Sequence, residues 1–155
     1  MNINFIEKTI NDIRDIKIKN SYVKLILLWT ILESWIVEKS GKEKKREAMN
    51  WFRNKDNPVK NCWYEFQTSG DLKGMIDYAK MLGIKISNNG TKYFAKPDNP
   101  DDIVELIYSI RNRLVHGEWQ LGADGLAEEK SLIELSARFL ENWLRCAYTN
   151  KVFSK

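Results

Sequence analysis

From Leu25 to Val37 the chain carries thirteen residues of which a single one, Glu33, is charged. A stretch this apolar must be taken out of water. It is too short to span a bilayer, which takes about 20 residues, and Lys24, Glu38 and Lys39 flank it closely. It therefore reads as a central helix, apolar nearly all round and hence buried. Such a helix needs other helices to cover it, and at 155 residues the chain is long enough for one domain with a real core.

A second helix is marked at both ends. Asn99 is a good N-cap, and Pro100 suits the first helical position because its missing N–H is not needed there. Asp101 and Asp102 fall in the first turn, where negative charge meets the positive end of the helix dipole. Gly117 suits the left-handed stop, so the spacing predicts a helix over Pro100 to His116. At about 100° per residue, Ile103, Val104, Leu106, Ile107, Tyr108, Ile110, Leu114 and Val115 form a wide buried arc. Glu105, Ser109, Asn112 and His116 fall on the other side. Arg111 lies inside the apolar arc, between Ile107 and Val104. A buried charge is normally paired, and Glu33 is the other charge in an apolar setting, so Arg111 and Glu33 are expected to meet.

The remaining elements follow from similar signals. Phe5, Ile6, Ile10, Ile13 and Ile16 sit at helical spacing over Phe5 to Lys17. The buried helix covers Ser21 to Val37 and ends at Gly41. Glu43 to Arg53 predicts a short charged helix, Pro58 to Phe66 another turn or two, and Asp71 a cap for a helix to Leu82 stopped by Gly83. Ile84 to Ser87 and Thr91 to Phe94 flank Asn88-Asn89-Gly90, and Asn-Gly between alternating runs is a hairpin signal. Asp124 to Tyr148 predicts a long helix with Leu132, Leu135, Phe139, Trp143, Leu144 and Ala147 inward. The expected fold is all-α, a single helical domain over 1–155 with a small hairpin or loop insertion around 84–96.

Cys62 and Cys146 are too few for a disulfide scaffold, and no metal-ligand cluster stands out. Met1 to Lys8 does not show a basic start followed by an apolar run, so no secretory signal is expected and the default setting is reduced and cytoplasmic. The net charge of +4 is compatible with an RNA partner without diagnosing one. The segment Lys39 to Lys60 holds eight Lys/Arg against three acids, with Trp51 and Phe52 among them. Basic residues interleaved with aromatics suit single-stranded nucleic acid, although charge runs on short helices are usually just solvated.

His116 is the chain's one histidine, and it closes the run Arg111-Asn112-Arg113-Leu114-Val115-His116-Gly117. Imidazole is the side chain that exchanges protons near neutral pH, and guanidinium forks match phosphate oxygens. An RNA phosphodiester can be cleaved without metal when its own 2′-hydroxyl attacks phosphorus. That reaction needs a proton-transfer group, for which His116 is suited, and a cation on the phosphate, for which Arg111 or Arg113 is suited. Asn112 lies one turn before His116 and can orient the ring or donate to phosphate. Arg111 and His116 diverge by about 140° on an ideal helix, which a frayed last turn or a two-fold dimer would relax. Plainer readings stand beside these: a histidine at a helix C-terminus suits the dipole, Arg113 reads as a solvated surface residue, Asp98, Asp101 and Asp102 as loop and first-turn residues, and Trp51, Trp63, Trp119 and Trp143 as core or dimer contacts.

This motif, followed by glycine and carried on an apolar helix, resembles the signature of HEPN domains. Leu32-Glu33 in the apolar helix is similar to the acidic helix that many members pack against the motif. The resemblance covers most of the chain as an all-helical pattern, but only about six residues are diagnostic. It implies a HEPN-like helical bundle and a metal-independent endoribonuclease that cleaves single-stranded RNA, with no cofactor. Its catalytic positions would be Arg111, Asn112 and His116, with Glu33 and Arg113 in support. It further implies a homodimer with a composite active site, roles as a toxin or antiviral defence effector, and an antitoxin or nucleotidyltransferase partner. The alternative it leaves open is a non-catalytic module that binds nucleotides or a partner protein beside a nucleotidyltransferase. A third reading is a helical interaction protein in which Arg111 and Glu33 are purely structural.

Overall fold

A computed structural model describes Lys8 and residues 20–65, 69–116 and 127–150. The expected helix over Phe5 to Lys17 lies outside these residues apart from Lys8, as do Phe66, Gly117, Trp119 and the start proposed at Asp124. The described residues form six α-helices, one 3₁₀ turn and a two-stranded hairpin, an all-α fold with a small insertion as the sequence predicts.

Helix α1 spans Ser21–Ser40. The Asn20 side chain accepts hydrogen bonds from the amides of Tyr22 and Val23, and Gly41 closes the helix at φ +65°. Leu25, Leu28, Trp29, Ile31, Leu32, Trp35 and Ile36 are buried, but Val23, Leu27, Thr30 and Ser34 are exposed. The helix is therefore not covered all round: four residues at helical spacing leave one face to solvent. Helix α2 spans Lys45–Asn54, α3 is the single turn Pro58–Asn61, and the 3₁₀ turn Cys62–Glu65 follows it.

Helix α4 spans Gly70–Met81. Its cap is Ser69, whose hydroxyl accepts from the Leu72 amide, and not the expected Asp71. Asp71 sits inside the first turn and its carboxylate takes a bidentate contact from Arg138, at 3.0–3.1 Å. Gly83, at φ +69°, supplies the stop. Strands β1, Ile86–Asn88, and β2, Thr91–Tyr93, pair antiparallel with Asn88 opposite Thr91. Asn89 and Gly90 both have positive φ, the requirement of a tight two-residue hairpin turn.

Helix α5 spans Pro100–Val115, with the Asn99 side chain accepting from the Asp101 amide and His116 as the C-terminal cap residue. Helix α6 spans Ala127–Thr149. It packs along α4 and α1, and α1 also meets α2 and α5. Trp29, Trp63, Trp143, Phe52 and Phe139 fill the core, and the Trp143 indole donates to the Val59 carbonyl at 2.7 Å. Trp51 is half-buried, its ring 6.2 Å from that of Trp35.

Two buried polar groups fix the hairpin and α2 against α5. Asp102, 2% exposed, accepts from the Tyr93 hydroxyl at 2.7 Å and the Lys96 amide at 3.0 Å. Lys60 belongs to the basic segment, but it is buried, not solvated. Its ammonium donates to the carbonyls of Phe52, Arg53 and Lys55 where α2 ends, and stands 2.9 Å from Asp101. A cation is well placed at the negative end of a helix dipole, and here it also ties α2 to the first turn of α5.

Candidate functional site

The four residues of α5 that the wheel sets outside the apolar arc, Glu105, Ser109, Asn112 and His116, share one helical face. The first three line a groove of about 290 Å³ between α5 and β1, together with Lys85, Tyr108 and Arg113. Ser87, Glu105 and Tyr108 also line a second cavity, of about 430 Å³, that runs under α2 past Lys45, Arg46 and Asn50. The two cavities adjoin and make one depression walled by α2, the hairpin and α5.

The motif residues occupy the end of α5. His116 is exposed, and its backbone amide donates to the Asn112 carbonyl. Arg111 is half-buried; its Nη1 donates to the Asn112 side-chain oxygen at 3.0 Å, while its Nε is enclosed with no hydrogen-bond partner among the described residues. The guanidinium is thus held to the neighbouring amide. Arg113 is half-buried in the groove wall. Val115, next to His116, is 43% exposed, although the wheel assigns it to the buried arc.

Glu33 does not meet Arg111. Its carboxylate accepts from the Trp29 indole at 2.9 Å, four residues back on the same helix, and pairs with Lys45 at 3.1 Å. The physical reason is local: the i, i+4 geometry brings the indole N–H to Glu33, and the start of α2 delivers an ammonium to the same carboxylate. Glu33 is satisfied without a guanidinium, and its side chain is only 16% exposed.

The floor of the depression carries an ion pair. Arg53 Nε stands 3.3 Å from Glu105, and Arg53 also donates to the Asn88 side chain at 3.2 Å. Burial pushes the Glu105 carboxyl above the usual range, with Arg53 opposing. Burial likewise raises Asp101, which Lys60 offsets only in part. Arg46, Asn50 and Lys85 are exposed on the opposite walls. Sequence reasoning does not single out these three as a set, because only the fold, which sets α2 and the hairpin around α5, places them along one depression. The charge-rich, aromatic-interleaved segment is the one signal that points to Arg46.

Among the described residues, no group of three or more His, Cys, Asp or Glu is placed to hold a metal ion, and no helix is long and apolar enough to cross a membrane. No family model, no curated protein and no solved structure matches this chain.

Proposed function

We propose that the chain is a HEPN-type endoribonuclease that cleaves single-stranded RNA through attack of a ribose 2′-oxygen on the adjacent phosphorus. One observation carries this reading: His116 stands exposed at the end of α5, just over one turn beyond an arginine whose guanidinium is held by Asn112. In this role the imidazole moves the proton of the attacking hydroxyl or supplies one to the departing 5′-oxygen. Arg111 holds the charge that grows on the phosphate, where preorganised donors contribute most. Asn112 orients Arg111, and Arg113 extends the cationic surface toward the groove.

Arg111 and His116 diverge by about 140° around an ideal helix. A two-fold homodimer resolves this by setting the imidazole of one copy against the guanidinium of the other, with exposed Val115 as an apolar contact beside the seam. A cytoplasmic RNA pool is the source of substrate on this reading. A toxin or antiviral defence role, restrained by an antitoxin or modified by a nucleotidyltransferase, accords with the resemblance of the motif.

The test is incubation of the purified protein with single-stranded RNA in a chelator, beside His116→Ala. Cleavage to 2′,3′-cyclic phosphate ends is expected, with a loss in the variant of about 10²–10⁴-fold, the usual contribution of a positioned acid–base group. Unchanged cleavage by His116→Ala would remove the imidazole from the chemistry. RNA binding with no cleavage by the parent would leave the non-catalytic nucleotide-binding module.

A further inference from the structure

Glu105, Ser109, Asn112 and His116 recur at steps of four, three and four residues, so they form one stripe along α5. The structure gives this stripe a facing wall. Lys85 and Ser87 of the hairpin arm stand across from Ser109 and Asn112, and the depression continues under α2 to Arg46 and Asn50. We infer that the depression is a track for single-stranded RNA that leads the strand along α5 toward His116, with phosphates on Arg46 and Lys85 and bases against Tyr108 and the asparagines.

The charge balance favours a polyanion. Arg46 and Lys85 are exposed, and the Lys45 side chain is 63% exposed despite its contact with Glu33. Glu105, the acid common to both cavities, is already ion-paired with Arg53 and so opposes a phosphate weakly. The polar lining suits nucleobases, because unstacked bases of single strands are read by hydrogen bonds to their edges and by stacking on aromatic side chains. Asn50, Ser87 and Asn112 offer such donors and acceptors. Tyr108 lines both cavities, and its ring is braced by Trp29 at 5.4 Å.

This inference rests on the nuclease reading for its direction toward His116 but has its own readout. The experiment measures binding of a fluorescent, uncleavable 2′-O-methyl oligoribonucleotide to the full chain over a salt series, and cleavage of the matching RNA separately. Arg46→Glu/Lys85→Glu should weaken binding by about tenfold or more. It should also flatten the slope of log affinity against log salt by about 0.7 for each phosphate no longer neutralised. Lys73→Glu/Lys80→Glu on α4 makes the same change in net charge away from the depression and should leave most of the affinity. Equal losses in the two double variants, or no binding by the parent, would overturn the track. Selective loss in Arg46→Glu/Lys85→Glu with no cleavage by any variant would sustain the track and reject the nuclease reading. Cleavage lost in His116→Ala but unchanged in Arg46→Glu/Lys85→Glu would do the reverse.

Discussion

Glu33 shows how a single charged residue in an apolar helix is accommodated. Its carboxylate has two partners of different worth. The indole of Trp29 is buried, whereas the Lys45 side chain is 63% exposed. Exposed ion pairs contribute about 0–1 kcal/mol, and a buried donor stripped of its acceptor costs about 1–3 kcal/mol. Glu33→Ala should therefore destabilise the fold by roughly 1–3 kcal/mol, while Lys45→Ala should cost less than about 1 kcal/mol, both measured by urea unfolding. Equal effects would mean that the ion pair, not the indole, is what Glu33 contributes. The sequence marks Glu33 as unusual but does not say which group it meets. Trp29 lies four residues away, yet a rule that pairs charge with charge passes over an indole. Arg111 is partly withdrawn from water, as its place in the apolar arc predicts, but its hydrogen bond to the adjacent Asn112 depends on a rotamer that no spacing rule reports.

At the scale of elements, local chemistry is legible in the sequence and long-range pairing is not. The Asn99 cap, Pro100 at the start of α5 and the Asn89-Gly90 turn are encoded within a few residues each, and the structure places them as expected. Arg53–Glu105, Lys60–Asp101 and Arg138–Asp71 join segments far apart in the chain. Nothing in the spacing of those residues identifies their partners. The Asp102 carboxylate shows the same over a shorter span, since it reads as a first-turn acid and also docks the hairpin through Tyr93 and Lys96. A two-stranded hairpin has little stability of its own, so its position depends on Tyr93 and Lys96 reaching Asp102. Asp102→Ala should accelerate hydrogen exchange at residues 86–93 while the circular dichroism of the helices stays close to that of the parent. Unchanged exchange in the hairpin would show that packing of Ile84 and Ile86 holds it without the carboxylate.

For the whole molecule, buried carboxylates make stability depend on pH in opposing ways. Burial raises Glu105 and Asp101 above their unfolded values, so each binds protons more readily in the folded state. Their contribution is full below the ordinary carboxylate range and is lost as pH rises through the folded values. Glu141 behaves oppositely: burial pushes it up, but Lys24 and Arg145 more than offset that and hold it below its ordinary value. Its contribution is present above the ordinary glutamate range and is lost as pH falls through the folded value. Urea midpoints followed from acid to neutral pH should thus decline less in Glu105→Gln than in the parent. A steeper decline in the variant would contradict a raised Glu105.

The clasp of Lys60 is built from sheltered contacts. With its side chain 9% exposed, its contacts are sheltered from dissolved ions, which act mainly on exposed charges. That ammonium joins the end of α2 to the root of α5, as the Arg53–Glu105 pair does farther along, so the spacing between the two helices is held by contacts within the fold. On the proposed RNA track, added salt would then weaken the hold on a strand without changing the shape that receives it, and little ordering entropy would remain to be lost on contact.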